Sequence, residues 1–221
     1  MTLTGVLFDL DGTLGDHDSS VTAALTAWLP TIGMVADQTT ITRWHEVAET
    51  HLAAWRRREV DYAEQRRRRL RDFGLGYGKE DLDLIFAGYL VEYEKAYHAY
   101  DDVPEAIAAV AAKGLKVAVL TNGSATRQRG KLARMGLADL GPVWTPDDLG
   151  TAKPDPGAFR GSVTRWGLRP GEVLSVGDRH DLDVLAAREA GLRAVHLDRR
   201  GIGPVGEPHR IGSLRELADH L

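Results

Sequence analysis

The chain opens on an uninterrupted apolar run, Gly5-Val6-Leu7-Phe8, which stops at an acid, Asp9. Such a run reads as a strand buried on both faces, here placed within Thr2–Asp9. The stretches Leu115–Leu120, Val173–Val176 and Ala194–Leu197 repeat the form. Segments with helical spacing lie between them. Pro104–Lys113 carries proline at its start and Gly114 past its end. Asp155-Pro156 reads as the N-cap and first turn of a helix reaching Trp166. Leu182–Ala190 reads as another, closed by Gly191. Strands alternating with helices predict an α/β fold with a parallel, Rossmann-like sheet flanked by helices.

Residues 18–99 break this alternation. Val21, Leu25 and Leu29 are four apart, and Ile41, Trp44, Ala48, Leu52 and Trp55 follow a helical period. Leu82, Ile85, Phe86, Tyr89, Leu90 and Tyr93 do the same. The pattern predicts four helices and no clear strand, a small bundle inserted after the first strand, with the aromatic stripes as its core.

With 221 residues, the chain suits one large domain or one domain holding a second, smaller one. At 43% hydrophobic and 27% charged residues it reads as soluble. No apolar run is long enough to span a membrane, and the N-terminus does not resemble a signal peptide. The absence of cysteine excludes disulfides, thiolate metal sites and a cysteine nucleophile, and fits a cytoplasmic protein. The formal net charge of −4 offers nucleic acid no general attraction. The charge is uneven, however. Arg56, Arg57, Arg58, Arg66, Arg67, Arg68, Arg69 and Arg71 crowd one segment, with Glu59, Asp61, Glu64 and Asp72 between them. This reads either as a solvated helix face or as a basic surface that meets a second anionic group on a substrate. With only Tyr62 and Phe73 nearby, it makes a poor platform for stacking bases.

The polar residues of interest fall at strand ends. They are Asp9, Asp11, Gly12 and Thr13; Thr121, Asn122 and Gly123; Lys153, followed by Pro154; and Gly177, Asp178 and Asp183. In an open parallel sheet, ligands bind beyond the carboxyl ends of the strands, so these groups are expected to converge. Carboxylates brought together repel unless a cation lies among them, and a set of aspartate oxygens suits Mg²⁺. Lys153, the Thr121 hydroxyl and the amides at Asn122 and Gly123 suit a phosphoryl group.

Taken in order, these motifs resemble the haloacid dehalogenase-like superfamily in its phosphatase branch. They are Asp9-x-Asp11-Gly12-Thr13, then Thr121 after an apolar strand, then Lys153-Pro154, then Gly177-Asp178 with Asp183 five residues on. The matching core covers residues 1–15 and 100–221, and the insert of residues 16–99 resembles the family's helical cap domain. The resemblance implies a Mg²⁺-dependent phosphatase acting on a small phosphorylated metabolite. It implies Asp9 as the nucleophile that forms an aspartyl phosphate, and Asp11 as general acid and then base. Asp9, the Asp11 backbone carbonyl and Asp178 would hold the metal, with Asp183 supporting them. Lys153 would offset the charge of Asp9, and Thr121, Asn122 and Gly123 would hold the phosphoryl oxygens.

Other residues read as bland. Asp181 is expected as a helix N-cap or an extra acid rather than a metal ligand, and His180 as an exposed loop residue. His17 departs from the family pattern after Asp16 and reads as a hinge residue, or as one that meets substrate. Gly201-Ile202-Gly203-Pro204-Val205-Gly206 fits a dinucleotide-binding spacing, but Pro204 and Pro208 suit a loop better than a helix start. A phosphomutase shares the same core residues, and a phosphate-switched regulatory module shares the acids, the threonine and the lysine. A dehalogenase has no use for Asp11. No nucleic-acid or membrane partner is expected, and the chain is expected as a monomer or homodimer.

Overall fold

The unbroken apolar runs follow from a sheet covered on both sides. Val6 and Phe8 face one layer, where Val103, Ala106 and Val110 of one helix pack with Leu214 and Leu217. Leu7, between them, faces the other layer with Ala158, Phe159 and Val163. Every residue of strand β1 (Gly5–Phe8) is therefore buried, and no position along it tolerates a polar side chain.

The structure is a computed structural model and describes residues 2–57, 59–76 and 81–221. The described residues form two compact units, one of residues 1–16 and 98–221, the other of residues 17–97. The first contains a sheet of six strands: β1, β2 (Lys116–Leu120), β3 (Val143–Trp144), β4 (Val173–Gly177), β5 (Arg193–Leu197) and β6 (Arg210–Ile211). Their order across the sheet is β3-β2-β1-β4-β5-β6, with neighbours paired in parallel. The strand order reverses beside β1, which lies between β2 and β4, so a crevice opens beyond their carboxyl ends.

The second unit holds helices α1 (His17–Trp28), α2 (Gln38–Arg56), α3 (Tyr62–Phe73) and α4 (Leu82–Lys95). Asp37, Asp61 and Asp81 cap the last three by accepting backbone N–H groups of the first turn. Their common core holds Val21, Leu25, Trp28, Trp44, Phe73 and Phe86. Trp44 is fully buried and packs edge-on to Phe73, with ring centroids 4.9 Å apart.

Helices α5 (Val103–Ala112), α6 (Ala125–Arg134), α7 (Pro146–Leu149), α8 (Pro156–Arg165) and α9 (Ala186–Glu189) complete the sheet unit. Sequence periodicity misses several of these elements. β3 and β6 are two residues each, too short for a period. Helix α6 escapes because arginines and a lysine dominate its sequence and leave no apolar stripe. The segment expected as a helix from Leu182 begins earlier, as a wide π turn over His180–Leu185 that runs into α9. No helix opens at residues 201–206. There the Asp198 carboxylate accepts the N–H groups of Ile202 and Gly203 and holds a loop. Among the described residues no helix is long and apolar enough to cross a membrane.

One buried charge ties the ends of the sheet unit together. The Asp102 side chain, 1% exposed, accepts both terminal nitrogens of Arg199, the Ser213 hydroxyl and the Leu214 N–H. Burial pushes the Asp102 carboxyl up, but these donors more than offset it and hold it below the usual range. Arg199 also donates to the Thr13 carbonyl at 3.0 Å and lies over Tyr100. Asp102→Ala would leave Arg199 without its partner. The expected loss is about 3 kcal/mol, read as a Tm lower by roughly 6–12 °C.

Candidate active site

The side chains that converge beyond the sheet come from four separate segments. Asp9 follows β1, Thr121 follows β2, Asp178 follows β4, and Lys153 lies between α7 and α8. Register places them together, because β1 pairs residue for residue with both β2 and β4, Phe8 facing Val119 and Val176.

Lys153 is the centre of the arrangement. Its Nζ donates to Asp9 Oδ1 and to Asp183 Oδ1, both at 2.6 Å, and its side chain is 3% exposed. Burial alone would lower the pKa of this ammonium. The carboxylates of Asp183 and Asp9 outweigh burial and hold it above an ordinary lysine. The Lys153 backbone is fixed as well: Asn122 Nδ2 donates to its carbonyl at 2.8 Å, and its N–H donates to Asn122 Oδ1 at 2.9 Å. Asn122 was expected to hold phosphoryl oxygens. Both ends of its amide are instead occupied in placing Lys153.

Asp183 is fully engaged. Oδ1 accepts from Lys153, Oδ2 accepts the Arg179 N–H at 3.0 Å, and its carbonyl accepts the Ser175 hydroxyl. Gly177 permits this approach, since a Cβ there would lie 2.4 Å from that of Asp183. Asp9 Oδ2 and Asp178 Oδ1, by contrast, are buried oxygens with no hydrogen-bond partner among the described residues. One oxygen from each of Asp9, Asp178 and Asp183 lies within 4.8 Å of the others. Unpartnered buried acceptors on adjacent carboxylates are costly unless a cation meets them, and oxygen-only donors suit a hard divalent ion. The residues present therefore fit such an ion. Burial, then the neighbouring acids, push the Asp178 carboxyl up to about 8. Burial also raises Asp9 to about 6, against the opposing pull of Lys153.

The turn after β1 brings this pair close. Gly12 has φ +92°, and a Cβ on it would lie 2.6 Å from Asp178 Oδ2. Thr13 Oγ1 accepts the Asp178 N–H at 3.1 Å. His196, fully buried, reaches the Asp178 carbonyl through Nε2 at 3.1 Å.

Asp11 points to partners that the motif spacing does not disclose. Its Oδ1 accepts Lys131 Nζ at 2.5 Å, and Oδ2 accepts Gln128 Nε2 at 3.0 Å. Lys131 and Gln128 are buried residues of α6. They lie three apart, on one helix face, and that spacing is the only trace of them in the sequence. Gln128 Nε2 is also 2.7 Å from Thr121 Oγ1 and 3.0 Å from the Asn122 carbonyl, so two hydrogens serve three acceptors. As a donor the Thr121 hydroxyl makes, among the described residues, a 3.5 Å contact with the Asn122 carbonyl, which leaves its proton able to serve a ligand. Gly123, at φ +140°, takes the turn between β2 and α6.

His180 is not an exposed loop residue. It is half-buried, edge-on to the His196 ring, with Nε2 3.0 Å from Glu207. Asp181 is exposed, an extra acid rather than a cap, and among the described residues lies 3.7 Å from Arg179. His17 Nδ1 meets the Tyr93 hydroxyl at 2.5 Å inside the helical unit.

Comparison with known proteins agrees with this arrangement. A family model described as haloacid dehalogenase-like hydrolase matches residues 3–191. The chain is 39% identical to a phosphoserine phosphatase of Thermus thermophilus over 56% of its own length and 51% of that protein. It therefore spans about half the length of that relative. It is 28% identical to an N-acetylmuramic acid 6-phosphate phosphatase of Pseudomonas aeruginosa over 100% of this chain and 96% of that protein. The magnesium-bound HAD-hydrolase YfnB of Bacillus subtilis shares the fold, with TM-score 0.86 at 20% identity, over 100% of this chain and 99% of that one. Dehalogenases are also among the similar proteins and structures.

The raised carboxyls set a pH dependence for the metal-free protein. Asp9 and Asp178 hold protons up to about 6 and about 8 when folded, but only to 3.8 when unfolded. Stability from this cluster falls as pH rises from about 4 to about 8, because the unfolded chain sheds its protons first. In chelator, Tm measured from pH 5 to pH 8 should fall, and Asp178→Asn should flatten most of that slope.

Proposed function

Starting from a chain that belongs to the haloacid dehalogenase-like hydrolases, we propose that it is a Mg²⁺-dependent phosphatase acting on a small phosphorylated metabolite. The reaction passes through an aspartyl phosphate on Asp9. One observation carries the reading: buried, unpartnered oxygens of Asp9 and Asp178 stand beside the Lys153 ammonium, with a second acid, Asp11, two residues along. Phosphatase names among the relatives support it.

Asp9, the Asp11 carbonyl and Asp178 would hold the metal. When bound, Mg²⁺ supplies positive charge that offsets the phosphoryl oxygens and keeps both carboxylates ionised. The remaining work falls to the chain. Lys153 holds Asp9 Oδ1, leaving Oδ2 to approach phosphorus or metal. As the Asp9 oxygen bonds to phosphorus, the bond to the leaving oxygen breaks, and that oxygen takes a proton from Asp11. Asp11 then takes a proton from water as the water oxygen bonds to phosphorus and the bond to Asp9 breaks. Thr121 and the amide at Gly123 donate to the phosphoryl oxygens. Lys131 and Gln128 hold the Asp11 carboxyl in place through both steps. A site for dehalogenation has no use for Asp11 held in this way.

The first experiment is phosphate release from a panel of phosphorylated metabolites, with Mg²⁺ and with chelator. Release should need Mg²⁺ and vanish in Asp9→Asn. Asp11→Asn should lower kcat by about 10²–10⁴-fold. No release from any compound would overturn the phosphatase reading and favour a mutase. Lys131→Met should lower kcat by roughly 10–100-fold with a smaller change in KM, since it removes the positioning of the acid and not the acid itself. Lys131→Arg should recover part of that loss.

A further inference from the structure

The arginine run divides by environment. Arg58 lies outside the described residues. Arg56 and Arg57 pair with Glu49 and Glu59. On α3, Arg67 pairs with Asp83, Arg68 donates to Glu64 at 3.0 Å, and Arg71 lies 3.5 Å from Glu64. These side chains form the solvated, acid-balanced face that such runs usually make.

Arg66 and Arg69 differ. The Arg69 guanidinium carbon lies 4.0 Å from the centroid of a Trp44 ring, and 5.8 Å from those of Phe86 and Tyr89. That of Arg66 lies 4.2 Å from Tyr62 and 5.2 Å from Phe86. Arg69 bonds to the Tyr89 hydroxyl, and Arg66 lies within the field of the Asp83 carboxylate that Arg67 holds. Among the described residues neither makes an ion pair, and the Nε of each is buried without an acceptor. Arg69 as a residue is only 8% exposed. Beside them Gln65, 1% exposed, has a buried Oε1 that meets no donor. Burial pulls the Arg69 guanidinium down, and the surrounding tyrosines are uncharged at neutral pH.

A buried cation held by rings and a neutral hydroxyl, with no ion pair among the described residues, is costly, and aromatic faces offset only part of that cost. Two such cations three residues apart on one helix repel each other as well. Stacking on rings also leaves the planar edges of the guanidinium forks as donors, the geometry that takes a carboxylate or phosphoryl group in a bidentate grip. We propose that Arg66, Arg69 and Gln65 form an oxyanion-binding site on the helical unit, which takes the carboxylate or phosphoryl group of a small ligand. The two arginines supply the charge, and Gln65 Oε1 accepts from a hydroxyl or amide beside the anion. The site stands on binding alone and does not depend on the phosphatase reading.

The test is calorimetric titration of the full chain in chelator with inorganic phosphate and, separately, with succinate. The number of anions bound per chain should fall by one in Arg69→Met, or affinity at that site should drop by about tenfold or more. Arg66→Met should behave the same way. Arg68→Met, which removes a surface pair with Glu64, should change nothing. The stronger of the two probes identifies the group as phosphoryl or carboxylate. Circular dichroism reports whether each variant folds, and if Arg69→Met does not, the less buried Arg66→Met decides. No saturable anion binding by the unaltered chain, or equal binding by all variants, would overturn the proposal. Loss of the phosphatase reading would show separately, as absence of phosphate release.

Discussion

A single buried ammonium, Lys153, holds the candidate site together. Asp9 and Asp183 reach it at 2.6 Å from the ends of different strands, and neither carboxylate could lie so deep without it. The lysine has little freedom of its own, because Asn122 clamps its backbone from the end of β2. Three strands and one loop thus meet at one charge. The arrangement concentrates acids that repel one another, and the remaining strain falls on the two oxygens that Lys153 does not serve, on Asp9 and Asp178. The same constraint that makes the cluster stable makes it receptive to a cation.

Around this centre the fold supplies two kinds of support. Glycines allow approach: Gly12 brings the first turn against Asp178, and Gly177 lets Asp183 fold back beside its own strand. Helix α6 supplies orientation, since Lys131 and Gln128 grip Asp11 by both oxygens while Gln128 also touches Thr121. Two acids separated by one residue are thereby placed in different surroundings. Asp9 shares its lysine with another acid and keeps a naked oxygen, whereas Asp11 accepts from a lysine at one oxygen and from an amide at the other. Two carboxyls held by different partners are suited to separate duties.

The helical unit treats its charges differently. Its surface arginines are balanced by acids within a turn or across a helix pair, but Arg66 and Arg69 lie on an aromatic shelf and make no ion pair among the described residues. Sequence composition reads all of them alike. Only the packing of α3 against Trp44 and Phe86 separates the solvated members from the enclosed ones.

Much of the architecture was legible in the order of residues. Apolar runs ending in Asp9, Thr121 and Asp178 announce strands whose ends carry chemistry, and prolines and a capping acid announce helices at Pro104 and Asp155. These signals are local, so periodicity and capping report them. Lys131, Gln128 and the true duty of Asn122 were not legible, because they act on residues up to 120 positions away and carry no motif of their own. The two-residue strands escaped for want of a period, and His180 because its partners, His196 and Glu207, come from later turns of the chain. The sequence by itself determined which residue types stand at the strand ends and that a helical block interrupts them. Tertiary structure alone decided which carboxylate oxygens are paired and which are bare, since pairing in a buried site depends on distances between segments that no linear spacing encodes.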